Sequence, residues 1–177
     1  MPEHPTSGPR VAVVVGNPKP ESRTLAAATH LARELAGHDA DLVVDLATLG
    51  PALLDWSSPT VLDLVAAVGE AELVVVASPT YKGAYTGLLK LFLDRFAAGD
   101  GLRGLAVPLM LGGSPAHALA PELTLRPVLT EIGATVPGRA LYVLDSRHDD
   151  PSSYAGWLEA HRPLVRTILD TRLEAAR

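Results

Sequence analysis

The stretch that decides the fold is ASPTYKGAYTGLLKLFLD, residues 77–94. An apolar run at residues 73–77 stops at a polar segment that contains proline and glycine. A helical pattern follows, because Leu88, Phe92 and Phe96 recur every four residues and so share one helix face. The stretch therefore predicts a buried strand, a loop at its carboxyl end and then a helix.

The same unit recurs along the chain. Further apolar runs predict strands at residues 11–15, 42–46, 104–111 and 140–144. Helical patterns predict helices at residues 22–37, 60–69, 85–98, 118–132 and 151–177. We expect Pro163 to kink or divide the last helix. This alternation predicts an α/β fold with a doubly wound, five-stranded parallel sheet and helices on both faces.

Composition and charge limit the class of protein. The 177 residues are 47% hydrophobic and 20% charged, which is typical of one folded domain. We expect that domain at residues 10–177, after a Pro-rich, disordered lead at residues 1–9. The net charge of −5 argues against a nucleic-acid partner. No run is apolar enough to span a bilayer or to serve as a signal peptide, so we expect a cytoplasmic protein without a membrane partner.

The loop after the first strand reads GNPKPESRT, residues 16–24. It lacks both the dinucleotide fingerprint and the P-loop pattern. It places Ser22 as a helix N-cap and Thr24 in the first turn, where free N–H groups and the helix dipole favour an anion. Lys19 and Arg23 add positive charge. The loop fits a single phosphate, although a plain helix cap with solvated cations explains the same residues.

Two more loops follow predicted strands. Residues 79–83 offer the flat ring of Tyr81 and the charge of Lys82 to the edge of a planar, anionic ligand. Residues 112–114, Gly-Gly-Ser, allow a ligand to approach the backbone closely. A phosphate at one end and a flat heterocycle at the other describe flavin mononucleotide (FMN) on a flavodoxin-like sheet with strand order 2-1-3-4-5.

At these residues the chain resembles the NADPH-dependent FMN reductase family, most closely the flavin reductases of two-component alkanesulfonate monooxygenase systems. The matching segments are GNPKPESRTL (residues 16–25), residues 77–94 and LGGSPAHALAPELTLRPVL (residues 111–129). The resemblance implies hydride transfer from NADPH or NADH to FMN. It also implies a homodimer or homotetramer, and a flavin-dependent monooxygenase as candidate partner.

The resemblance places Ser22, Arg23 and Thr24 at the FMN phosphate, and residues 79–82 and 112–114 at the flavin ring. With polar neighbours in the same loops, the predicted cofactor-binding residues are Asn17, Lys19, Ser22, Arg23, Thr24, Pro79, Thr80, Tyr81, Lys82, Gly83, Gly112, Gly113, Ser114 and His117. Several members of the family carry a tyrosine that distorts the fourth helix at a subunit interface, where this chain has Leu123.

We assign no catalytic acid or base and no metal site, because in flavin enzymes the cofactor carries the chemistry. Two other functions use the same loops. One is a quinone or azo-compound reductase with tightly bound FMN, and the other is a flavin-binding module without activity. The sequence argues against a signalling receiver domain, since no acidic cluster follows the first strand.

Overall fold

The computed structural model describes residues 8–175, which build a five-stranded parallel sheet with the order β2-β1-β3-β4-β5. The strands are β1 (Val11–Val15), β2 (Leu42–Asp45), β3 (Leu73–Pro79), β4 (Leu105–Gly112) and β5 (Leu141–Leu144). The predicted fold and strand order are confirmed. The predicted lead at residues 1–9 falls mostly outside the described residues.

Helices cover both faces of the sheet. They are α1 (Arg23–Ala36), α2 (Pro59–Gly69), α3 (Gly87–Leu93), α4 (Arg126–Glu131) and α5 (Ser152–Ala175). One core contains Val13 and residues of α1 and α5, and the other contains Val14 and residues of α2, α3 and α4. Because both faces are packed, every residue of β1 is buried, which explains its uninterrupted apolar sequence.

The third helix is shorter than predicted, covering Gly87–Leu93 instead of residues 85–98. It begins late because the Oγ1 atom of Thr86 accepts a hydrogen bond from the N–H of Leu89 at 3.1 Å and so caps it. It ends early because the chain tightens, and the N–H of Phe96 donates to the carbonyl three residues back at 3.2 Å. Phe96 is buried nevertheless, so its spacing reflects packing and not a longer helix.

The helix predicted at residues 118–132 is divided. A π-helical turn, Pro121–Leu125, precedes the short helix α4, Arg126–Glu131. Leu123 lies in this turn with 67% of its surface exposed. The chain therefore forms a wide turn here with a leucine on its surface.

Two prolines flank the wide turn. The N–H of Arg126 donates to the carbonyl of Pro121, five residues back, which is the bond that defines a π-helix. Pro127 supplies no N–H, so it cannot make the next bond of a regular helix. The sequence pattern showed both prolines, but their effect depends on how the surrounding chain packs.

Pro108 sits inside β4 without breaking it. The N–H of Ala106 donates to the carbonyl of Thr135 at 2.9 Å. By strand alternation the nitrogen of Pro108 faces the same side, and the pairing with β5 begins only at Leu109 and Leu141. The proline nitrogen thus falls between the two pairings, where no ladder donor is required.

The last helix, α5, is one helix from Ser152 to Ala175, and Pro163 does not divide it. Pro163 is exposed, so a carbonyl left without its helical donor can be solvated. Among residues 8–175, no helix combines the length and the apolar character that crossing a membrane requires.

Candidate functional site

Three loops follow adjacent parallel strands and therefore meet at the carboxyl edge of the sheet. The first loop (residues 16–22) follows β1, the second loop (residues 80–86) follows β3, and the third loop (residues 113–117) follows β4. Two predicted site residues, Pro79 and Gly112, are the last residues of β3 and β4. The structure thus brings the three predicted groups of site residues to one edge.

Thr86 ties the first loop to the second. Its buried Oγ1 donates to the carbonyl of Gly16 at 2.5 Å, and its N–H donates to the hydroxyl of Ser78 at 3.0 Å. A Cβ atom on Gly16 would lie 2.3 Å from the Cβ of Leu89, so only glycine permits this close approach. Sequence reasoning did not assign Ser78 or Thr86 to the site, although a threonine before a helical pattern is an N-cap signal.

The first loop is shaped by its own polar side chains. The Nδ2 of Asn17 donates to the Oγ1 of Thr24 at 3.0 Å, and its Oδ1 accepts from the N–H of Lys19 at 2.9 Å. The Oγ of Ser22 accepts from the N–H of Leu25 at 3.2 Å, which makes Ser22 the N-cap of α1. The cap interpretation is therefore correct, but it does not exclude an anion, because each accepting hydroxyl still has a proton to donate.

The first loop also presents backbone donors. Arg23 and Thr24 are the first residues of α1, and N–H groups at that position have no partner within a helix. The N–H groups of Asn17 and Ser22 find no acceptor among residues 8–175. Lys19 is exposed and forms no ion pair with any described residue. This combination of donors and positive charge suits a phosphate.

Arg23 reaches across the edge of the sheet. Its Nη1 lies 2.5 Å from the Oδ2 of Asp145, in the turn that follows β5. The two residues are 122 positions apart, and sequence reasoning did not assign Asp145 to the site. No local pattern could have revealed it, because the pair depends on how α1 lies over the sheet.

The second loop is a tight hairpin. The N–H of Tyr81 donates to the carbonyl of Ala84 at 2.9 Å, and the reverse bond is 3.2 Å. Between them, Lys82 and Gly83 have φ angles of 54° and 79°, which is the pattern of a type I′ turn. The turn holds Tyr81 with 54% of its surface exposed at the edge of the site. Lys82 is strained here, since side chains rarely adopt positive φ.

Thr80 connects the second loop to the end of β4. Its N–H donates to the carbonyl of Leu111 at 2.6 Å. Its Oγ1 atom is buried and has no hydrogen-bond partner among the described residues. A buried hydroxyl without a partner is costly, and this one lies directly after β3, at the edge where the three loops meet.

The third loop rests on Tyr142 of β5. The hydroxyl of Tyr142 donates to the carbonyl of Ser114 at 2.7 Å, and burial raises its pKa, so the ring stays neutral. A Cβ atom on Gly112 would lie 2.1 Å from that hydroxyl, whereas one on Gly113 would meet nothing within 4 Å. The N–H groups of Gly113 and Ser114 find no acceptor among residues 8–175. The loop thus offers two backbone donors and open space.

His117 ends the short turn Pro115–His117 after the third loop. It is exposed, and its side chain makes no hydrogen bond to a described residue. Its place in the site therefore stays a prediction.

Trp56, in the segment between β2 and α2, lies away from the three loops, with the guanidinium of Arg95 4.3 Å from its ring centre. Arg95 follows the end of α3 that is remote from the loops.

The residues at this edge fit FMN. Free hydroxyl protons, backbone donors and two cations surround the start of α1, where a phosphate is favoured. A Cβ atom on Gly113 would meet nothing within 4 Å, so the backbone there is open, and the hairpin lies at the same edge of the sheet. The geometry of this edge is therefore compatible with a flavin nucleotide.

Comparison with known proteins points to the same cofactor. The sequence pattern of the family described as "NADPH-dependent FMN reductase" matches residues 9–149. The Escherichia coli K12 protein named FMN reductase (NADPH) is 31% identical over 172 residues, with 94% of this chain and 85% of that protein covered. NADH-dependent FMN reductase SfnF of Pseudomonas fluorescens Pf0-1 is 32% identical, with coverage of 80% and 79%.

A solved structure agrees with these relatives. The apo form of the NADH:FMN oxidoreductase EMOB superposes with a TM-score of 0.80 at 32% identity, covering 91% of this chain and 90% of that one. The resemblance first seen at residues 77–94 is confirmed. The chain belongs to the NADPH-dependent FMN reductase family, and it is an oxidoreductase that uses FMN and a nicotinamide cofactor.

Proposed function

We propose that the three loops hold FMN so that NADPH or NADH can reduce it. In this proposal, the phosphate is bound by Ser22, Arg23 and Thr24, with Asn17 shaping the loop and Lys19 adding charge. The observation that carries the proposal is the hydrogen bond from Thr86 to the carbonyl of Gly16, which ties the first loop to the second loop.

The ring-binding residues divide into two edges. Residues 79–83 border one edge, with Tyr81 exposed beside it, and residues 112–114, with His117 nearby, border the other. When bound, FMN supplies a hydride acceptor for the nicotinamide. The bond from Tyr142 to the carbonyl of Ser114 anchors the third loop, and the N–H groups of Gly113 and Ser114 in that loop can stabilise negative charge on a bound ring. No side chain is required as acid or base.

An anaerobic absorbance titration tests this function. The protein is mixed with FMN and then with NADPH or NADH, and the visible absorbance of the flavin should be bleached catalytically. The same titration with riboflavin in place of FMN serves as a comparison. Quinones and azo dyes are assayed in parallel as alternative acceptors. A protein that binds FMN but cannot be reduced by either nicotinamide would support a flavin-binding module instead.

We also propose that reduced FMN leaves this protein for a flavin-dependent monooxygenase. Support comes from the exposure of the proposed phosphate contact, since the Arg23 side chain is 61% exposed and can exchange partners. Ultrafiltration of the protein with one equivalent of FMN tests this. We expect most FMN in the filtrate at micromolar protein concentration, whereas retention with the protein would indicate a prosthetic group.

We propose that the protein is a homodimer or homotetramer that buries the π-helical turn. Leu119 and Leu123, four residues apart, are 54% and 67% exposed, and Leu91 of α3 is 37% exposed on the same helical layer. Light scattering should give at least twice the monomer mass of 18.6 kDa. Leu123→Glu should lower that mass. Leu164→Glu, an equally apolar position on the opposite layer, should not.

A further inference from the structure

The ion pair between Arg23 and Asp145 occupies the side chain to which we assign the FMN phosphate. The Nη1 of Arg23 lies 2.5 Å from the Oδ2 of Asp145, and the two side chains are 61% and 41% exposed. The turn that carries Asp145 is held in place, because the Nδ1 of His148 lies 3.1 Å from the carbonyl of Asp145. The carboxylate is thus positioned by its own turn and not by Arg23 alone.

We propose that Asp145 competes with the FMN phosphate for Arg23, so that FMN binds weakly enough to exchange as a substrate. This inference rests on the proposed phosphate position. An exposed ion pair contributes little net stability, and a phosphate makes stronger charge-assisted contacts with a guanidinium. FMN therefore displaces Asp145, but its apparent affinity is lowered by the fraction of molecules in which Arg23 is paired.

Asp45, another carboxylate near the first loop, does not have this role. The Oδ2 of Asp45 accepts from the backbone N–H of Glu21 at 3.1 Å, and its Oδ1 accepts from the N–H of Ala47 at 3.3 Å. Asp45 is thus engaged with backbone and holds neither Lys19 nor Arg23 among the described ion pairs. Among residues 8–175, Asp145 is the carboxylate that forms an ion pair with a side chain proposed to bind the phosphate.

Dissociation constants for FMN and riboflavin test the competition, because riboflavin lacks the phosphate. They are measured by flavin fluorescence at low salt for the wild type, Asp145→Asn, Arg23→Ala and the double variant. We expect Asp145→Asn to tighten FMN binding about two- to fivefold and to leave riboflavin unchanged. The gain should disappear in the Arg23→Ala background. The dissociation rate of FMN from Asp145→Asn should fall by a similar factor.

The matched control is Asp149→Asn, which removes the same charge four residues further along without contacting Arg23. Unchanged FMN affinity in Asp145→Asn would overturn the competition. The competition would also be overturned if Asp145→Asn tightened riboflavin binding as much as FMN binding, or if it tightened FMN binding equally in the Arg23→Ala background. An equal gain of FMN affinity in Asp149→Asn would overturn it too, since each of these results indicates a general charge effect. Asp145→Ser replaces the amide variant if thermal melts show that the latter is unfolded.

Failure of the underlying site gives a different result. If Arg23→Ala weakens the binding of FMN and of riboflavin equally, or weakens the binding of neither, the phosphate does not bind at Arg23. If Arg23→Ala weakens FMN alone but Asp145→Asn has no effect, the site is correct and only the competition is wrong.

Discussion

The hydroxyl of Thr86 donates to the carbonyl of Gly16 at 2.5 Å, across 70 positions of the chain. The same oxygen caps α3 by accepting from the N–H of Leu89. One buried side chain thus starts a helix and joins two ligand loops, so its removal should affect both stability and FMN binding.

Thr86→Val should destabilise the protein by about 2–4 kcal/mol. It removes a helix cap and leaves the carbonyl of Gly16 buried without a donor. Thr86→Ser keeps the hydroxyl and should lower the free energy of unfolding by less than about 1 kcal/mol. Urea denaturation followed by circular dichroism measures both. Equal stability of the valine and serine variants would show that the hydroxyl has no structural role.

Arg23→Ala should weaken FMN binding by about 1.5 kcal/mol, or roughly tenfold. A value at the low end for a charge-assisted contact is expected, because Arg23 must first leave Asp145. Arg33→Ala, at the other end of α1, removes the same charge and should change FMN affinity little. Fluorescence titration distinguishes these outcomes, and equal effects of the two variants would count against a phosphate contact.

The two glycines at the end of β4 should respond differently to substitution. Gly113→Val should fold normally, since a Cβ atom there meets nothing within 4 Å, but it should lower FMN affinity at least about tenfold by filling the ligand space. A folded Gly113→Val protein with unchanged affinity would contradict the ring position.

Gly112→Ala should instead destabilise the fold by about 1–3 kcal/mol, because the new Cβ would lie 2.1 Å from the hydroxyl of Tyr142. Adding Tyr142→Phe removes that oxygen and should recover part of the loss. Thermal melts of the single and double variants measure this recovery, and its absence would mean that the clash lies elsewhere.

Lys82→Gly should stabilise the protein relative to Lys82→Ala by about 1 kcal/mol. Position 82 has a φ of 54°, which costs a side-chain-bearing residue energy that glycine avoids. Both variants remove the charge, so the comparison isolates the backbone conformation. The same pair tests ligand contact, because equal losses of FMN affinity in both would identify the ammonium group as the cause.

If the glycine variant is no more stable than the alanine variant in urea, the hairpin turn does not hold position 82 at positive φ. FMN affinity unchanged in both would remove Lys82 from the binding residues.

Asp150 should make stability dependent on pH in the acid range. Hydrogen bonds from Arg147, and then from Ser152, lower the pKa of Asp150 from 3.8 to about 2 in the folded protein. Its contribution is therefore complete above about pH 4 and is lost as the pH falls towards 2. The melting temperature of Asp150→Asn should be below that of the wild type near neutral pH, and the difference should shrink below pH 4.

Arg147→Gln provides the control for this effect. It removes the largest cause of the lowered pKa of Asp150. Adding Asp150→Asn to Arg147→Gln should therefore lower the melting temperature near neutral pH by less than it does in the wild type. A melting difference that does not vary with pH would show that Asp150 acts only as a hydrogen-bond acceptor at the start of α5.

Local pattern predicted the fold and the three loops. Runs such as Val11–Val15 are apolar because both faces of a parallel sheet are covered, and this requirement is visible residue by residue. The cap at Ser22 was also predictable, because its partner, Leu25, is only three positions away. The limits of α3 and the π-helical turn were not predicted, because packing and the surrounding chain decided where those helices ended.

The sequence by itself determined which segments are strands, roughly where the helices lie, and which loops carry the side chains proposed to bind ligand. Only the tertiary structure decided which distant groups complete the site: Thr86 with Gly16, Tyr142 with Ser114, and Asp145 with Arg23. The reason is physical. Hydrophobic periodicity is set by neighbours along the chain, whereas a hydrogen bond or ion pair depends on an atom's position to within about an ångström, which only the packed sheet and helices determine.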